Sequence, residues 1–289
     1  MPTQTLKACG TVVIAAALGA EGCATNPATG ESQLSLISRQ QEIQMGQQAA
    51  RQVRQTIGVV SDRALQQYVE RIGERLAVGT SRPDLPWRFA VVDDPTPNAF
   101  ALPGGFIYVT RGMMNLLTSE AELAAILGHE IAHVTARHAV NQLSRQQLAQ
   151  LGLGLSGIFV PEVQTLSPVI GAGLNLLFLK YSRDHEREAD ELGYQYLRRE
   201  GYDVSEFADV FRALQRASGD GPGALPGWLS THPVPAERIE TARRRAAQGP
   251  EQPTQTFGAT CTCATSTGWC MARIRSAGSS ASRSSIILN

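Results

Sequence analysis

His129-Glu130-Ile131-Ala132-His133 decides how the rest of the chain is read. It falls in a run that opens at Ser119, with Glu122 three residues on as a capping box and Ala, Leu and Ile filling the interior, a pattern that predicts a helix. Two His four residues apart then project from one face and can hold one tetrahedral Zn²⁺. Glu130, beside the first ligand, can reach the open coordination position, where zinc lowers the pKa of its water and a carboxylate takes the proton. With five His in 289 residues a chance pattern of this kind is rare, although helical His pairs without a metal exist.

A catalytic zinc needs a third protein ligand and one open position. The later run Glu186-Arg187-Glu188-Ala189-Asp190, inside a charged helix expected from Ser182 to about Glu200, sets Glu186 and Asp190 on one face. Opposite the first helix, Glu186 would complete a two-His, one-Glu set and Asp190 would accept from the far nitrogen of a ligating His. Taken alone, the segment reads equally well as a solvated charged face.

Outward from these helices, Ser38 opens a Gln-rich amphipathic helix to about Thr56, and Ser61-Asp62 opens another with Leu65, Val69, Ile72 and Leu76 at helical spacing. The period changes at Trp87 to Val92, an alternating strand closed by Asp93-Asp94-Pro95. Asn98 to Leu102, Pro103-Gly104-Gly105 and Phe106 to Thr110 read as a hairpin. Beyond the second motif come helices from about Val204 to Ser218 and from about Pro235 to Ala247, separated by a Gly/Pro loop over 219–227 and by Thr231-His232-Pro233. The apolar stretch 151–179 is interrupted by Pro161, Pro168 and several Gly, against a clean membrane span.

Together these motifs resemble the M48 family of zinc metallopeptidases, in its exported bacterial branch. The resemblance runs from about Leu34 to Ala247 and rests on Asn98-Ala99-Phe100-Ala101-Leu102-Pro103-Gly104-Gly105, on His129 to Val134, on Glu186 to Asp190, and on His232-Pro233 with Arg238-Ile239. It implies an α+β, mainly helical, gluzincin-like domain with a small β-sheet. It also implies one zinc per chain held by His129, His133 and Glu186, with Asp190 as support. Asn98, Ala99, Phe100, Ala101, Leu102, Pro103 and Gly104 would then bind an extended polypeptide by backbone pairing along a strand edge; without the resemblance, a core hairpin is as good a reading. His232 would steady the oxyanion or take the metal's open position, and Arg238 would assist it; the alternatives are a loop His bonded locally and an Arg paired with Glu237 or Glu240. His138, five residues past His133, is expected to point away from the metal face, and His185 to be exposed. Trp87 and Trp228 read as core or loop anchors.

Composition bounds the partners. Lys+Arg and Asp+Glu both total 26, giving zero net charge and no basic stripe for nucleic acid. Lys7, an apolar run and then Gly22-Cys23 read as an export signal over 1–22 of the lipoprotein type, with Cys23 lipidated, though Glu21 departs from the usual cleavage box. Residues 23–33 then read as a tether, 34–248 as the peptidase domain and 249–289 as an atypical low-complexity tail, disordered or the product of a shifted frame. The expected location is the periplasm, at the outer membrane surface through the lipid anchor. The function that the export signal and the family resemblance together imply is hydrolysis of unfolded or misassembled envelope proteins, the substrate class resting on the resemblance. The alternatives are a chaperone-like assembly factor with latent proteolysis, and a structural zinc domain closed by an extra protein ligand.

Overall fold

The computed structural model describes residues 23–150, 179–218, 227–233 and 236–247, together with the pairs 269–270 and 287–288. The export signal, most of the 151–179 stretch, nearly all of the 219–227 loop and the bulk of the tail lie outside the described residues. A mainly helical fold with small sheets is observed, as expected. None of the described helices is long and apolar enough to cross a membrane.

The N-terminal residues form strands β1 (Cys23–Thr25) and β2 (Ser32–Leu34), paired antiparallel. The segment expected to be a tether is thus a hairpin. Its turn is closed by Asn26, whose Oδ1 accepts from the Ala28 amide at 2.9 Å while its backbone bonds Glu31 and Gly30. Helix α1 (Arg39–Thr56) starts with a reciprocal box in which Ser38 Oγ accepts from Gln41 N and Gln41 Oε1 from Ser38 N. Helix α2 (Arg63–Val78) is capped by Asp62, and its apolar stripe of Leu65, Val69, Ile72 and Leu76 is buried.

Strands β3 (Arg88–Val92), β4 (Ala99–Leu102) and β5 (Phe106–Thr110) form one sheet in the order β3-β5-β4. The expected hairpin is present, in the register Ala99 to Val109 and Leu102 to Phe106; β3 adds to it in parallel. Gly104 and Gly105 carry φ of 80° and 100° in the connecting turn, which residues with a Cβ rarely adopt. β4 is left at the edge. Phe100, Leu102, Phe106 and Tyr108 pack under α1 with Ala49, Ala50 and Val53 in a small second core.

Helix α3 (Arg111–Leu116) leads to α4 (Glu120–Thr135), which runs through the middle of the protein: every residue from Glu122 to Thr135 is buried. Its cap differs from the expected box. Ser119 Oγ accepts from Glu122 N at 3.0 Å, but the Glu122 carboxylate turns to the Thr118 amide and hydroxyl instead of the Ser119 amide. Helices α5 (His138–Gln150), α6 (Arg183–Arg199), α7 (Glu206–Ser218), α8 (Gly227–Thr231) and α9 (Ala236–Ala247) complete the domain. Helix α4 packs most extensively on α6. Glycine permits that closeness, since a Cβ on Gly193 would lie 3.4 Å from His129 N and 2.8 Å from Phe207 Cζ. In the tail, β6 (Trp269–Cys270) and β7 (Ile287–Leu288) pair antiparallel.

Candidate active site

The α4–α6 crossing brings the two sequence motifs together. His129 and His133 come from successive turns of α4, and Glu186 from the first full turn of α6, where Ser182 caps the helix by accepting from His185 N at 3.2 Å. His232 follows directly on α8 and is held by its amide bond to Trp228 O, 2.8 Å. All four are buried, and one ligand atom from each lies within 4.8 Å of every other.

The individual separations are more informative. His133 Nε2 is 3.0 Å from His129 Nε2, and His129 Nε2 is 3.3 Å from His232 Nδ1. Glu186 Oε1 is 2.9 Å from His232 Nδ1 and 3.6 Å from His133 Nε2, and Glu186 Oε2 is 3.5 Å from His129 Nε2. A tetrahedron with metal–ligand bonds of about 2.0–2.1 Å has edges of roughly 3.3–3.4 Å, and the separations here, from 2.9 to 3.6 Å, scatter around that length, so the cluster could share one metal ion. The charges agree. Glu186 and Asp190 are both buried against the one guanidinium of Arg238, an excess of negative charge that a metal cation would offset.

Each carboxylate is steadied differently. Burial alone would raise the pKa of Glu186, but the His232 charge, hydrogen bonds from His129 and His232, and Arg238 outweigh it and hold the carboxyl well below its usual range. Burial is likewise overcome at Asp190 by Arg238, which grips it through two 2.7 Å bonds from Nε and Nη2, and by His129, whose Nδ1 sits 3.0 Å from Asp190 Oδ1. Burial works against charge on His129, yet Asp190 and Glu186 push its pKa up to about 9; the pocket favours a cation. His133 goes the other way. Burial and then the neighbouring His129 charge drive its pKa well below the ordinary value, which favours the neutral, ligating form.

Glu130 is 1% exposed. Its Oε1 accepts from Trp228 Nε1 at 3.0 Å, and its Oε2 has no hydrogen-bond partner. An unpaired buried carboxylate oxygen beside a ligand cluster is the position a reacting water's proton would seek.

Several residues are located otherwise than expected. Arg238 does not pair with Glu237 or Glu240; besides Asp190, its Nη1 donates to Glu186 Oε2 and Pro233 O, both at 2.7 Å, and its guanidinium lies over the Phe211 ring. It bears on the Glu186 and Asp190 carboxylates, and no contact to Glu130 or His232 supports a role at the oxyanion. His138 does not point away: its Nδ1 is 2.9 Å from His133 Nδ1. His185 is half-buried, stacked on His138 at 4.4 Å. Trp228 is a core residue as read, but its indole also bonds Glu130 and stacks on His232 at 4.7 Å. Tyr181, unmarked in the sequence, stacks on His133 at 4.0 Å. A lone Tyr next to an apolar run carries no signal. The four-residue step from Trp228 to His232 was the only hint at the other.

Of the residues read as substrate-binding, Ala99 to Leu102 form edge strand β4, which packs beside α4, and all four side chains are buried. Their backbone is little exposed as well: Ala99 and Leu102 are at 0%, Phe100 at 6% and Ala101 at 8%. Pro103 has no amide hydrogen, and the Gly104 amide donates to Glu42 Oε1 at 3.3 Å, so neither contributes a free donor. Asn98 Oδ1 is buried without a partner. A small crevice between the β4–β5 turn and the start of α5, lined by Leu102, Pro103, Arg137 and Tyr181 among others, reaches His133 but none of the other three residues of the cluster.

Comparison with known proteins agrees with this geometry. Residues 63–246 match the model of peptidase family M48. The chain is 32% identical over 237 residues to the beta-barrel assembly-enhancing protease of Yersinia pestis, covering 79% of this chain and 48% of that protein. It is 31% identical over 255 residues to the protein of that name in Escherichia coli K12, covering 84% of this chain and 52% of that one. The mitochondrial metalloendopeptidase OMA1 of Schizosaccharomyces pombe is 32% identical over 226 residues, covering 74% and 63%. The chain thus spans about half the length of the bacterial relatives it matches. The enzyme class read from the sequence, a metalloendopeptidase, agrees with the names of these relatives, and on the family match the chain belongs to peptidase family M48.

Proposed function

We propose that this chain is a zinc-dependent endopeptidase that cuts unfolded or misassembled proteins of the cell envelope. The observation that carries the proposal is the convergence of His129, His133 and Glu186 at metal-ligand spacing beside the unpartnered Oε2 of Glu130. One zinc per chain, held by these three residues, would supply Lewis-acid polarisation of a peptide carbonyl and acidification of a water. Glu130 takes the proton of the attacking water at Oε2 and returns it to the leaving amine, while Trp228 holds Oε1 and thereby fixes the carboxylate plane. Asp190 fixes the His129 ring through Nδ1, and Arg238 ties Asp190 to Glu186. The backbone edge of β4, with Asn98, lines up an extended chain by main-chain bonds that ignore side-chain identity, which suits a broad range of unfolded substrates.

The envelope substrate rests on the export signal and on the relatives named for β-barrel assembly. Cys23 is proposed as the lipidated residue that attaches the domain to the periplasmic face of the outer membrane. A second reading has one observation in its favour: His232 Nδ1 stands at the fourth corner of the ligand set. In that resting state the enzyme is latent, and the chain acts mainly as a binding or assembly factor until His232 moves off. A Glu130→Gln variant separates capture from cutting. It should keep bound zinc and still trap an unfolded substrate while cleavage is lost; cleavage at the original rate would remove Glu130 as the base.

A further inference from the structure

The metal-ligand cluster does not end at its own residues. His133 presents Nε2 to the cluster and Nδ1 to His138 Nδ1, 2.9 Å away. If His133 Nε2 gives its lone pair to a metal, the ring proton must be on Nδ1, and His138 Nδ1 must accept it. The His138 proton is then on Nε2, which lies 3.2 Å from Glu188 Oε2, close though not aligned as a linear hydrogen bond. Glu188 Oε1 in turn accepts from Asn26 Nδ2 at 2.6 Å. Every proton in the sequence Asn26, Glu188, His138, His133 has one consistent position. His138 is 1% exposed, and its ring plane is fixed by the parallel His185 imidazole.

The backbone delivers His138 by an unusual step. Arg137 has φ of 59°, the left-handed region, so α5 leaves α4 at an angle instead of continuing it. Arg137 is held there by bonds to Glu42 Oε2 and to Ile37 O. At the other end, the Asn26 turn belongs to the β1–β2 hairpin, and the segment that follows is pinned to α5 by the Leu36 amide on Ser144 Oγ, 2.9 Å.

We propose that His138, backed by the Glu188 carboxylate, is a positioning residue that accepts the Nδ1 proton of His133 and so holds its Nε2 on the metal. The inference rests on the zinc reading above, and it gives Asn26 of the N-terminal hairpin a place at the outer end of the same relay. A hydrogen-bonded partner of this kind affects metal affinity by about 10- to 100-fold.

The test is zinc affinity of the full chain, measured by competition with a chromophoric chelator, together with the visible spectrum after Co²⁺ substitution. An Asn side chain sets a polar atom near the position of a His Nδ1, and a Gln near that of Nε2. His138→Asn should therefore keep zinc affinity within a few-fold of wild type and leave the Co²⁺ spectrum in place. His138→Gln and His138→Ala should lose about 10- to 100-fold and shift the spectrum, and Glu188→Gln should weaken binding in the same direction. Wild-type affinity in His138→Ala or in Glu188→Gln, or equal losses in the Asn and Gln variants, overturns the relay while leaving the zinc reading standing. A wild-type chain that takes up no zinc removes both.

Discussion

At the scale of single residues, the site is a set of buried charges that survive only because each has a partner. Arg238 is the clearest case, since it neutralises both Asp190 and Glu186 inside the protein. Arg238→Ala leaves two buried carboxylates short of a cation and should cost about 3–5 kcal/mol, read as a lower urea midpoint of the zinc-free chain. An unchanged midpoint would mean that the carboxylates find other compensation. Glu130→Gln should lower peptide hydrolysis by about 10²–10⁴-fold with zinc retained, measured by digestion of an unfolded protein beside metal analysis. What was legible at this scale follows from locality. His129, Glu130 and His133 share one helix, so spacing alone sets their geometry. Trp228 on Glu130 joins residues 98 apart in the chain, and His138 was misread because a left-handed Arg137 breaks the helical phase assumed across it.

At the scale of elements, α1 holds the β4–β5 turn. Glu42 of α1 takes two guanidinium bonds from Arg82 and a third from Arg137, and receives the Gly104 amide. One turn further along α1, a Cβ on Gly46 would meet Pro103 O at 1.8 Å. Gly46→Ala must push the turn away, and an overpacked contact of this kind costs about 1–3 kcal/mol, checked by thermal unfolding. A stability at or above wild type would show that the helix and turn slide apart freely. The start of α7 supplies a pH dependence. Burial, then the Glu122 charge, push the Glu206 carboxyl up to about 7, with Asp209 and Asp203 adding to it and a bond from Ser119 Oγ opposing it. A raised folded-state pKa means that the folded chain binds the proton more tightly than the unfolded one. The stability from this group is therefore complete below the ordinary value near 4.5 and is lost as pH rises through about 7. The melting midpoint of Glu206→Gln should lack that part of the decline; parallel curves for the two proteins would contradict the assignment. The element order was readable because caps and periodicity are local signals. The parallel pairing of β3 on β5 was not, since strand partners are chosen by packing over a distance.

At the scale of the whole molecule, the fold is a device for crossing α4 over α6 and closing the crossing with the α8–α9 segment that brings His232 and Arg238. The motifs name residues that meet at this crossing, whereas their separations depend on packing between segments far apart in the chain. Metal should bind the folded chain and not the unfolded one, so zinc at a hundred times its dissociation constant should add about 2.7 kcal/mol to stability, an increment that EDTA removes. Membership of family M48 supports the proposal that this arrangement hydrolyses peptide bonds. The most direct test of that account is the zinc content and unfolded-protein cleavage of the purified chain beside His129→Ala and Glu130→Gln. Stoichiometric zinc in the wild type, zinc lost in His129→Ala but kept in Glu130→Gln, and cleavage lost in both is the result the account predicts. Cleavage that persists in His129→Ala, or a wild-type chain that binds no zinc, would contradict it.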